Sequence, residues 1–316
     1  MADVKKIATR DSYGNALAEM SAAHPEIVVL DADLAAATKT SIFKKACPER
    51  FMDCGIAEGN MIGVAAGLAA AGMTPFASTF AMFAAGRGYE QIRNSIGYPH
   101  LNVKVCASHG GISVGEDGAT HQCCEDFALM RTIPGMTVIC PSDDVEARAA
   151  TKAIAEYQGP VYMRLGRMAV PVFNTNDDYK FEIGKGITLR EGNDVTIIAT
   201  GLMVNEAVEA AKTLAEEGVN ARVINMHTIK PLDKELVLKA AKETGLLVTV
   251  EEHSVIGGLG EAVAGVVSAE CPVPVVRMGV QDVFGYSGPA AKLLEEFGLC
   301  ASNIHKVVKE AVAKKK

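Results

Sequence analysis

No C-x-x-C pair occurs in this chain, although it has 316 residues and eight cysteines. The scattered cysteines match no standard metal-site spacing, and a disulfide framework is not expected in so large and apolar a chain. The first residues, MADVKKIATRDSYG, lack the apolar core of a secretory signal peptide. These absences predict a reduced, cytoplasmic protein.

An excess of basic residues is also missing, since 31 Lys and Arg face 38 Asp and Glu and the net charge is -7. A broad nucleic-acid surface would need such an excess, and the basic end 314–316 is too short to supply it. Residues 59–86 carry no charge and would be long enough to cross a bilayer. They are mostly Ala and Gly, however, and Gly72 and Pro75 interrupt them. We therefore expect neither a nucleic-acid partner nor a membrane span.

The familiar nucleotide-binding and esterase motifs are absent too. There is no G-x-x-x-x-G-K-[ST] and no G-x-S-x-G. The GGLG at 257–260 falls short of a full G-x-G-x-x-G. The chemistry must therefore come from other polar residues.

Short β-branched runs alternate with helical patterns along the chain. In the first part the runs lie at 26–34, 74–80, 102–109, 136–143 and 160–165, with helices predicted near 10–22, 58–71, 85–97, 122–132 and 143–157, the last of them capped by Ser142. Such alternation predicts mainly parallel sheets covered by helices on both faces. We predict an α/β protein with two doubly wound domains, 1–170 and 187–316, joined by a polar linker at 171–186.

One carboxylate, Glu58, stands at the start of the uncharged run and of the helix predicted there. A carboxylate at a helix N-terminus often serves only as a cap or dipole partner. An apolar pocket would instead raise its pKa, so that it could hold or share a proton near neutral pH. Phe80 and Phe83 follow, and they are either core residues or a face for a flat ring.

A glycine-rich polar segment, SHGGISVGEDGATHQ (108–122), directly follows a predicted strand. It is therefore a loop at the carboxyl end of a strand, where open α/β sheets bind ligands. A flexible surface loop and a metal site are the alternatives, although the spacing matches no standard metal pattern. Isolated arginines, each either surface charge or an anion ligand, stand at Arg10, Arg87, Arg93, Arg164 and Arg167.

Taken together, several segments resemble the transketolase family of thiamine diphosphate enzymes, in order and over nearly the whole chain. They are CGIAEGNMIGVAAGLA, PFASTFAMFAAGRGYEQIRNSI, SHGGISVGEDGATHQ, VICPSD, VNARVINMHTIKPLD and VTVEEHSVIGGLGEAV. The resemblance covers the family's pyrimidine-binding and C-terminal domains. The Gly-Asp-Gly and following Asn that mark its diphosphate-binding and metal-binding part are not in this sequence. The chain thus resembles the C-terminal subunit of a split transketolase.

The resemblance implies a cofactor role for Glu58 and its surroundings. In the family the equivalent acid hydrogen-bonds the aminopyrimidine of thiamine diphosphate and so helps the thiazolium carbon to lose its proton. Phe83 matches the ring that stacks on the pyrimidine, while Phe80 and Ile56 line the same pocket. The apolar run would keep water from Glu58 and strengthen that hydrogen bond.

The resemblance also assigns the substrate groups. His109, Arg167 and Arg10 match residues that hold the sugar phosphate, and Arg and His together suit a phosphate dianion. Asp117 matches a carboxylate that binds a sugar hydroxyl. His121 matches a histidine that contacts the donor's hydroxyls, and it is expected to be catalytic together with Glu58.

Two positions depart from the family pattern. Ala37 stands where the family commonly has a phosphate-binding Ser, and Thr38 is its neighbour. Gly86 stands where an aromatic residue is common. The first departure implies weaker phosphate binding or a different acceptor, and the second implies a different lining of part of the cofactor pocket.

The resemblance implies transfer of a two-carbon ketol unit from a ketose phosphate to an aldose phosphate. It also implies an N-terminal partner subunit that binds the diphosphate and Mg²⁺, and a heterotetramer of two long-half and two short-half subunits. Alternatives are a deoxyxylulose-phosphate-synthase-like protein, a transketolase for an unusual sugar, a 2-oxo acid dehydrogenase beta subunit, or a non-catalytic assembly protein. His253 is expected to be structural.

Overall fold

A computed structural model describes residues 5–174 and 179–315 of the chain. The strands are β1 Lys6–Ile7, β2 Ile27–Asp31, β3 Phe51–Asp53, β4 Thr74–Phe80, β5 Lys104–Ser108, β6 Thr137–Ile139, β7 Val161–Leu165, β8 Val170–Pro171, β9 Ile187–Arg190, β10 Val195–Ala199, β11 Ala221–Asn225, β12 Thr228–Lys230, β13 Leu247–Ser254 and β14 Val275–Val280. The α-helices are α1 Thr9–Met20, α2 Ala35–Thr38, α3 Thr40–Ala46, α4 Glu58–Ala70, α5 Tyr89–Gln91, α6 Asp126–Thr132, α7 Asp144–Glu156, α8 Met203–Glu216, α9 Lys234–Thr244, α10 Leu259–Glu270, α11 Ala290–Glu296 and α12 Ala301–Lys315. A 3₁₀ turn lies at Pro48–Arg50, and π-helical turns lie at Phe83–Arg87 and Ile92–Gly97.

The first structural unit is built on a seven-stranded sheet in the order β12-β6-β7-β5-β4-β2-β3. All neighbouring strands are parallel except β12 and β6. Successive residues enter different apolar clusters, since Leu30 and Ala77 belong to one cluster and Val29 and Phe76 to another. Because side chains alternate across a strand, the two clusters lie on opposite faces of the sheet, as a doubly wound fold requires.

The second unit is built on a five-stranded sheet in the order β14-β13-β10-β11-β9, where only β9 runs antiparallel to its neighbour. Helix α8 buries the apolar face that its sequence predicts, including Val204, Ala207 and Leu214. The second core forms around this helix and strands β10 and β13. The predicted α/β class with two mainly parallel, doubly wound sheets is confirmed.

Strand β12 crosses from one unit to the other. It belongs by sequence to the predicted domain 187–316, yet it pairs antiparallel with β6, so that Thr228 lies opposite Ile139 in the first sheet. The alternation of strands and helices gave no sign of this pairing. Residues 175–178 of the predicted linker 171–186 lie outside the described residues, as do residues 1–4 and the last residue of the basic end.

The uncharged run folds as parts of three separate elements. Residues 59–86 form most of α4, all of β4 and the start of a π-helical turn. Among the described residues, no helix combines the length and the apolarity that crossing a membrane requires. The small side chains of α4 allow it to pack closely, and Met61, Ile62 and Ala65 are fully buried.

The predicted cap of α7, Ser142, is wrong by one residue. Asp143 precedes the helix, and its carboxylate accepts a hydrogen bond from the backbone N–H of Glu146 at 3.0 Å. Ser142 instead donates through both its N–H and its hydroxyl to Glu146 Oε2, each at 2.6 Å. The buried carboxylate of Glu146 needs donors, and it takes the serine that would otherwise cap the helix.

Candidate active site

Glu58 is the first residue of α4 and is only 4% exposed. The preceding Ala57 supplies no side-chain cap, so the carboxylate of Glu58 lies at the positive end of the helix. Its Oε1 accepts a hydrogen bond from Arg87 Nη1 at 3.0 Å. The Arg87 side chain is 54% exposed and its Cζ lies 4.2 Å from the Phe83 ring centroid. The buried acid is therefore held by an arginine that can move without disturbing the core.

Four rings form an aromatic wall made of Phe80, Phe83, His109 and His121. Phe80 and Phe83 stack with their centroids 5.7 Å apart, because β4 ends at Phe80 and a tight turn follows. Phe80 also stacks on His109, with 3.8 Å between centroids. The edge of His121 meets Phe83 at 5.3 Å. Such a wall offers an apolar face next to hydrogen-bonding ring nitrogens.

His109 directly follows β5 and has a left-handed backbone, with φ of 60°. It is 3% exposed, and its Nε2 lies 3.0 Å from Arg10 Nη1. Because a guanidinium can only donate, Nε2 must accept and the ring proton must lie on Nδ1, 2.8 Å from the Ser108 hydroxyl. Burial, together with the positive charges of Arg10 and Arg167, lowers the pKa of His109 to about 3. The histidine is therefore neutral at physiological pH.

The neutrality of His109 can be tested by NMR. In the full chain its Cε1–H resonance is expected to show no titration between pH 8 and pH 5, since the pKa of His109 is about 3. Replacing Arg10 by Gln removes one positive charge and should move the midpoint up by roughly one pH unit. The ring of His227 in the second unit, with a pKa of about 4 because of burial, serves as the internal control. A His109 midpoint near 6.5 in the unsubstituted protein would contradict this assignment.

That low pKa also sets the sign of a pH effect on stability. An unfolded histidine has a pKa of about 6.5, so between that value and about 3 the unfolded state binds more protons at His109. The contribution of the neutral ring to stability is thus present above pH 6.5 and is lost as the pH falls.

The other substrate residues from the sequence lie on or beside the loop 109–122. Arg167 Nη1 donates to the Val114 carbonyl at 2.8 Å and to Glu116 Oε2 at 3.1 Å. Asp117 is exposed in the same loop. His121 Nδ1 lies 2.9 Å from the Thr120 hydroxyl. Arg167 therefore lies next to the loop, and the carboxylate of Glu116 partly neutralises its positive charge.

The Ala37 departure has a structural consequence. The Ala37 carbonyl accepts a hydrogen bond from Arg10 Nη1 at 3.0 Å, so the backbone here orients the arginine. The hydroxyl of Thr38 cannot replace the missing serine, because it donates to the buried carboxylate of Asp31 at 2.7 Å. Burial raises the pKa of Asp31 to about 6, while that hydroxyl opposes the rise. Of the phosphate contacts that the resemblance predicts on this side, only the one from Arg10 remains in place.

A cleft of about 680 Å³ opens between the two units beside the aromatic wall. Phe83, Gly86 and Arg87 line it on one side. Val283 and Phe284 line it on the other, and Phe284 is 89% exposed. A Cβ at Gly86 would lie 2.7 Å from Met82 Cε, so the Met82 side chain takes part of the space where the family pattern has an aromatic ring. Ile56, which the resemblance places in the cofactor pocket, lies on the surface with 76% exposure.

Sequence reasoning missed several charged partners. Arg87 was identified only as an isolated arginine, yet it pairs with Glu58, and the pairing of Arg167 with Glu116 of the polar loop was not predicted. Arg164 is fully enclosed and lies 3.2 Å from Asp126. Its position in the apolar strand PVYMRL was a usable signal, because a charge inside a buried strand requires a partner.

Two family models match almost the whole chain. The transketolase pyrimidine-binding domain matches residues 5–172, and the transketolase C-terminal domain matches residues 184–304. Among the described residues, no group of three or more His, Cys, Asp or Glu side chains is placed to hold a metal ion.

Two relatives and one solved structure match this chain over nearly the whole of their own length. A protein of Methanocaldococcus jannaschii described as a transketolase C-terminal section is 49% identical over 96% of both chains. A 6-deoxy-6-sulfo-D-fructose transketolase subunit of a Clostridium species is 48% identical, over 97% of this chain and 95% of its own. A solved structure, described as a split-gene transketolase in an inactive β4 tetramer, superposes with a TM-score of 0.90 at 54% identity, over 99% of this chain and 100% of its own.

Proposed function

Since the chain belongs to the transketolase family, we propose that it is the C-terminal subunit of a split, thiamine diphosphate-dependent transketolase. The observation that carries the proposal is the buried Glu58 carboxylate, which Arg87 links to the stacked Phe83 and Phe80 rings. A buried carboxylate near an apolar aromatic surface can bind a flat, basic heterocycle. The relatives described as sections or subunits of transketolases support a two-chain enzyme.

The residues present fit one half of the cofactor. Glu58 would hold the aminopyrimidine by a hydrogen bond, and Phe80 and Phe83 would cover its face. Arg87 donates a hydrogen bond to the Glu58 carboxylate in this chain, and its side chain is half-exposed, so it can move aside when the pyrimidine takes its place. When bound, thiamine diphosphate supplies the nucleophilic carbon that takes up the two-carbon unit. Mg²⁺ and the diphosphate are assigned to the partner subunit.

The substrate side of the proposal uses the neutral His109 and its arginines. Arg10 and Arg167 supply positive charge for a sugar phosphate, and Arg suits phosphate because its donors form a planar fork. His109, with its proton on Nδ1, presents Nε2 to Arg10 and so fixes the direction of that guanidinium. His121 and Asp117 are proposed to contact the hydroxyls of the donor, and His121 stands against the Phe83 edge.

The partner interface is proposed to lie over the start of α4. Ile56, Asn60, Gly63 and Gly67 are exposed there and carry no charge. A Cβ added at Gly63 or Gly67 would meet no atom within 4 Å, so the helix surface is open for close approach. This surface is next to Glu58, where the diphosphate-binding subunit must meet a shared cofactor. A heterotetramer of two chains of each kind is the closed symmetric assembly proposed.

A substrate panel tests the activity. The chain is purified with its N-terminal partner, thiamine diphosphate and Mg²⁺, and is given xylulose 5-phosphate as donor and ribose 5-phosphate as acceptor. Ketol transfer to the aldose is expected, and pyruvate should not serve as donor. Turnover of pyruvate would favour a synthase-like or dehydrogenase-like relative, whereas cofactor binding without any turnover would favour an assembly role.

A transketolase for an unusual sugar is the second candidate. It is favoured by Ala37, which lacks a hydroxyl, and by Thr38, whose hydroxyl is committed to Asp31. A relative is also described as acting on 6-deoxy-6-sulfo-D-fructose. Including this sugar as a donor in the same panel separates the two candidates, because kcat/KM can be compared directly.

The cytoplasmic location is kept as part of the proposal, with all eight cysteines as free thiols.

A further inference from the structure

Gly110 and Gly111 follow His109, and each is in close contact with a buried charged side chain, one from each unit. A Cβ at Gly110 would lie 1.8 Å from Arg164 Nε, and a Cβ at Gly111 would lie 2.2 Å from Glu252 Cδ. Both distances are impossible for real side chains, so only glycine permits this approach. Glu252 belongs to β13 of the second unit. The start of the loop 109–122 therefore rests directly on a carboxylate that the second unit supplies.

Hydrogen bonds hold the ends of the loop at this contact. Glu252 Oε1 accepts from the Ser113 N–H at 2.6 Å. Arg164 donates to the Glu252 carbonyl at 2.8 Å and to the Cys123 carbonyl at 2.7 Å. Cys123 in turn accepts from the Gly111 N–H at 2.7 Å, which closes the base of the loop. All these groups are buried, where an unmade hydrogen bond would cost the most.

The segment 285–288 of the second unit holds the other side of the loop. Gln122 Nε2 donates to the Tyr286 carbonyl at 3.0 Å and to the Ile112 carbonyl at 3.1 Å. The Ser287 hydroxyl donates to the Glu116 carbonyl at 2.5 Å. Gly285 touches the Gln122 amide so closely that a Cβ there would lie 2.0 Å from Gln122 Oε1. The loop is thus clamped at two places by a unit that contributes none of the proposed substrate ligands.

We propose that the second unit, through Glu252 and the segment 285–288, positions the loop 109–122 for donor-substrate binding. Glu252, Gln122 and Ser287 are positioning residues, since they act through His109, Asp117 and His121. The inference rests on the proposed function for its substrate. A glycine-rich loop loses much conformational entropy when it is ordered. Ordering it before the substrate arrives removes that cost from binding, which strengthens affinity for the donor.

Two variants in the second unit test the proposal. In Gly285→Ala the new methyl group displaces Gln122, and in Ser287→Ala one cross-unit hydrogen bond is lost without added volume. Gly265→Ala in α10 is the matched control, because a Cβ there meets no atom within 4 Å. Hydrogen exchange of peptides from 108–122 is measured in the full chain alone. Donor KM, kcat and thiamine diphosphate affinity are measured in the reconstituted pair.

The expected result for Gly285→Ala is exchange of the 108–122 amides at least ~10-fold faster and a donor KM ~10-fold higher, as loss of one or two hydrogen bonds predicts. The kcat should change less than ~3-fold, and cofactor affinity should not change. Ser287→Ala should give the same pattern, with the exchange rate and the donor KM each raised roughly threefold. A merely structural role would lower the fraction of folded enzyme, and so kcat, without raising KM.

The outcomes separate this inference from the activity itself. An inactive unsubstituted pair would contradict the proposed function, and the exchange data on the chain alone would still show whether the second unit orders the loop. Unchanged exchange in both variants overturns the inference whatever the activity. Faster exchange with an unchanged KM overturns it as well, because the clamp would then stabilise the loop without positioning it. If Gly285→Ala does not fold, the surface variant Ser287→Ala carries the test.

Discussion

Replacing Glu58 by alanine is expected to lower kcat of the reconstituted two-chain enzyme at least ~100-fold, as loss of a positioned acid–base group typically does. The carboxylate is 4% exposed, so water cannot take over its hydrogen bond. Steady-state transfer from xylulose 5-phosphate to ribose 5-phosphate measures the effect. Glu58→Gln keeps the shape of the side chain but cannot exchange a proton in the same way, and it should lose nearly as much.

Two controls separate a proton role from a structural one. Glu235 also lies in the first turn of a helix, but its side chain is 91% exposed. Glu235→Ala should leave kcat unchanged. Arg87→Met removes the ion-pair partner of Glu58 and keeps the carboxylate. If Arg87→Met cost as much as Glu58→Ala, the acid would serve mainly the ion pair, and near-normal kcat in Glu58→Ala would refute the proton role outright.

Affinity for thiamine diphosphate should rise at least ~1,000-fold when the N-terminal subunit is added to this chain. A diphosphate held by charged donors gains ~1.5–3 kcal/mol for each such hydrogen bond, and about 4 kcal/mol corresponds to a thousandfold in Kd. The residues proposed to hold the cofactor in this chain, Glu58, Phe80 and Phe83, supply no positive charge for a diphosphate. Among the described residues no side-chain cluster is placed to hold Mg²⁺ either.

Calorimetry measures this dependence directly. The chain contains no tryptophan, so tryptophan fluorescence would report only on the partner and not on the isolated chain. Thiamine without its diphosphate is the control ligand, and it should bind weakly to the chain and to the pair alike. Tight binding of thiamine diphosphate by the isolated chain would show that the charged tail is held within copies of this polypeptide, which contradicts the shared site.

The α/β class was predictable because it depends on local patterns. Strand β4 has the predicted bounds 74–80, and α4 begins at Glu58 as predicted. Each apolar, β-branched run and each helix cap lies within about ten neighbouring residues, so the positions of strands and helices can be read from short stretches of sequence. Exclusion of a membrane span for 59–86 was predictable for the same reason, since glycine and proline break the run.

The charged contacts were not predictable, because they join residues far apart in the chain. Arg164 bonds the Glu252 carbonyl across 88 positions, and Glu252 bonds Ser113 across 139. No local pattern records such a pair. Arg87 lies only 29 positions from Glu58, but a helix, a strand and a turn separate them, and their meeting depends on how α4 packs on β4. The roles of the site residues stay predictions until the variants are measured.

Strand β12 limits where this polypeptide can be divided. Its three residues cover the edge of β6, whose unpaired N–H and C=O groups would otherwise be free to recruit another chain. A gene break near residue 180 would give one product with an unpaired sheet edge at β6 and a second product in which strand β12 has no partner strand. The sheet of the first unit is therefore complete only when both units belong to one continuous chain.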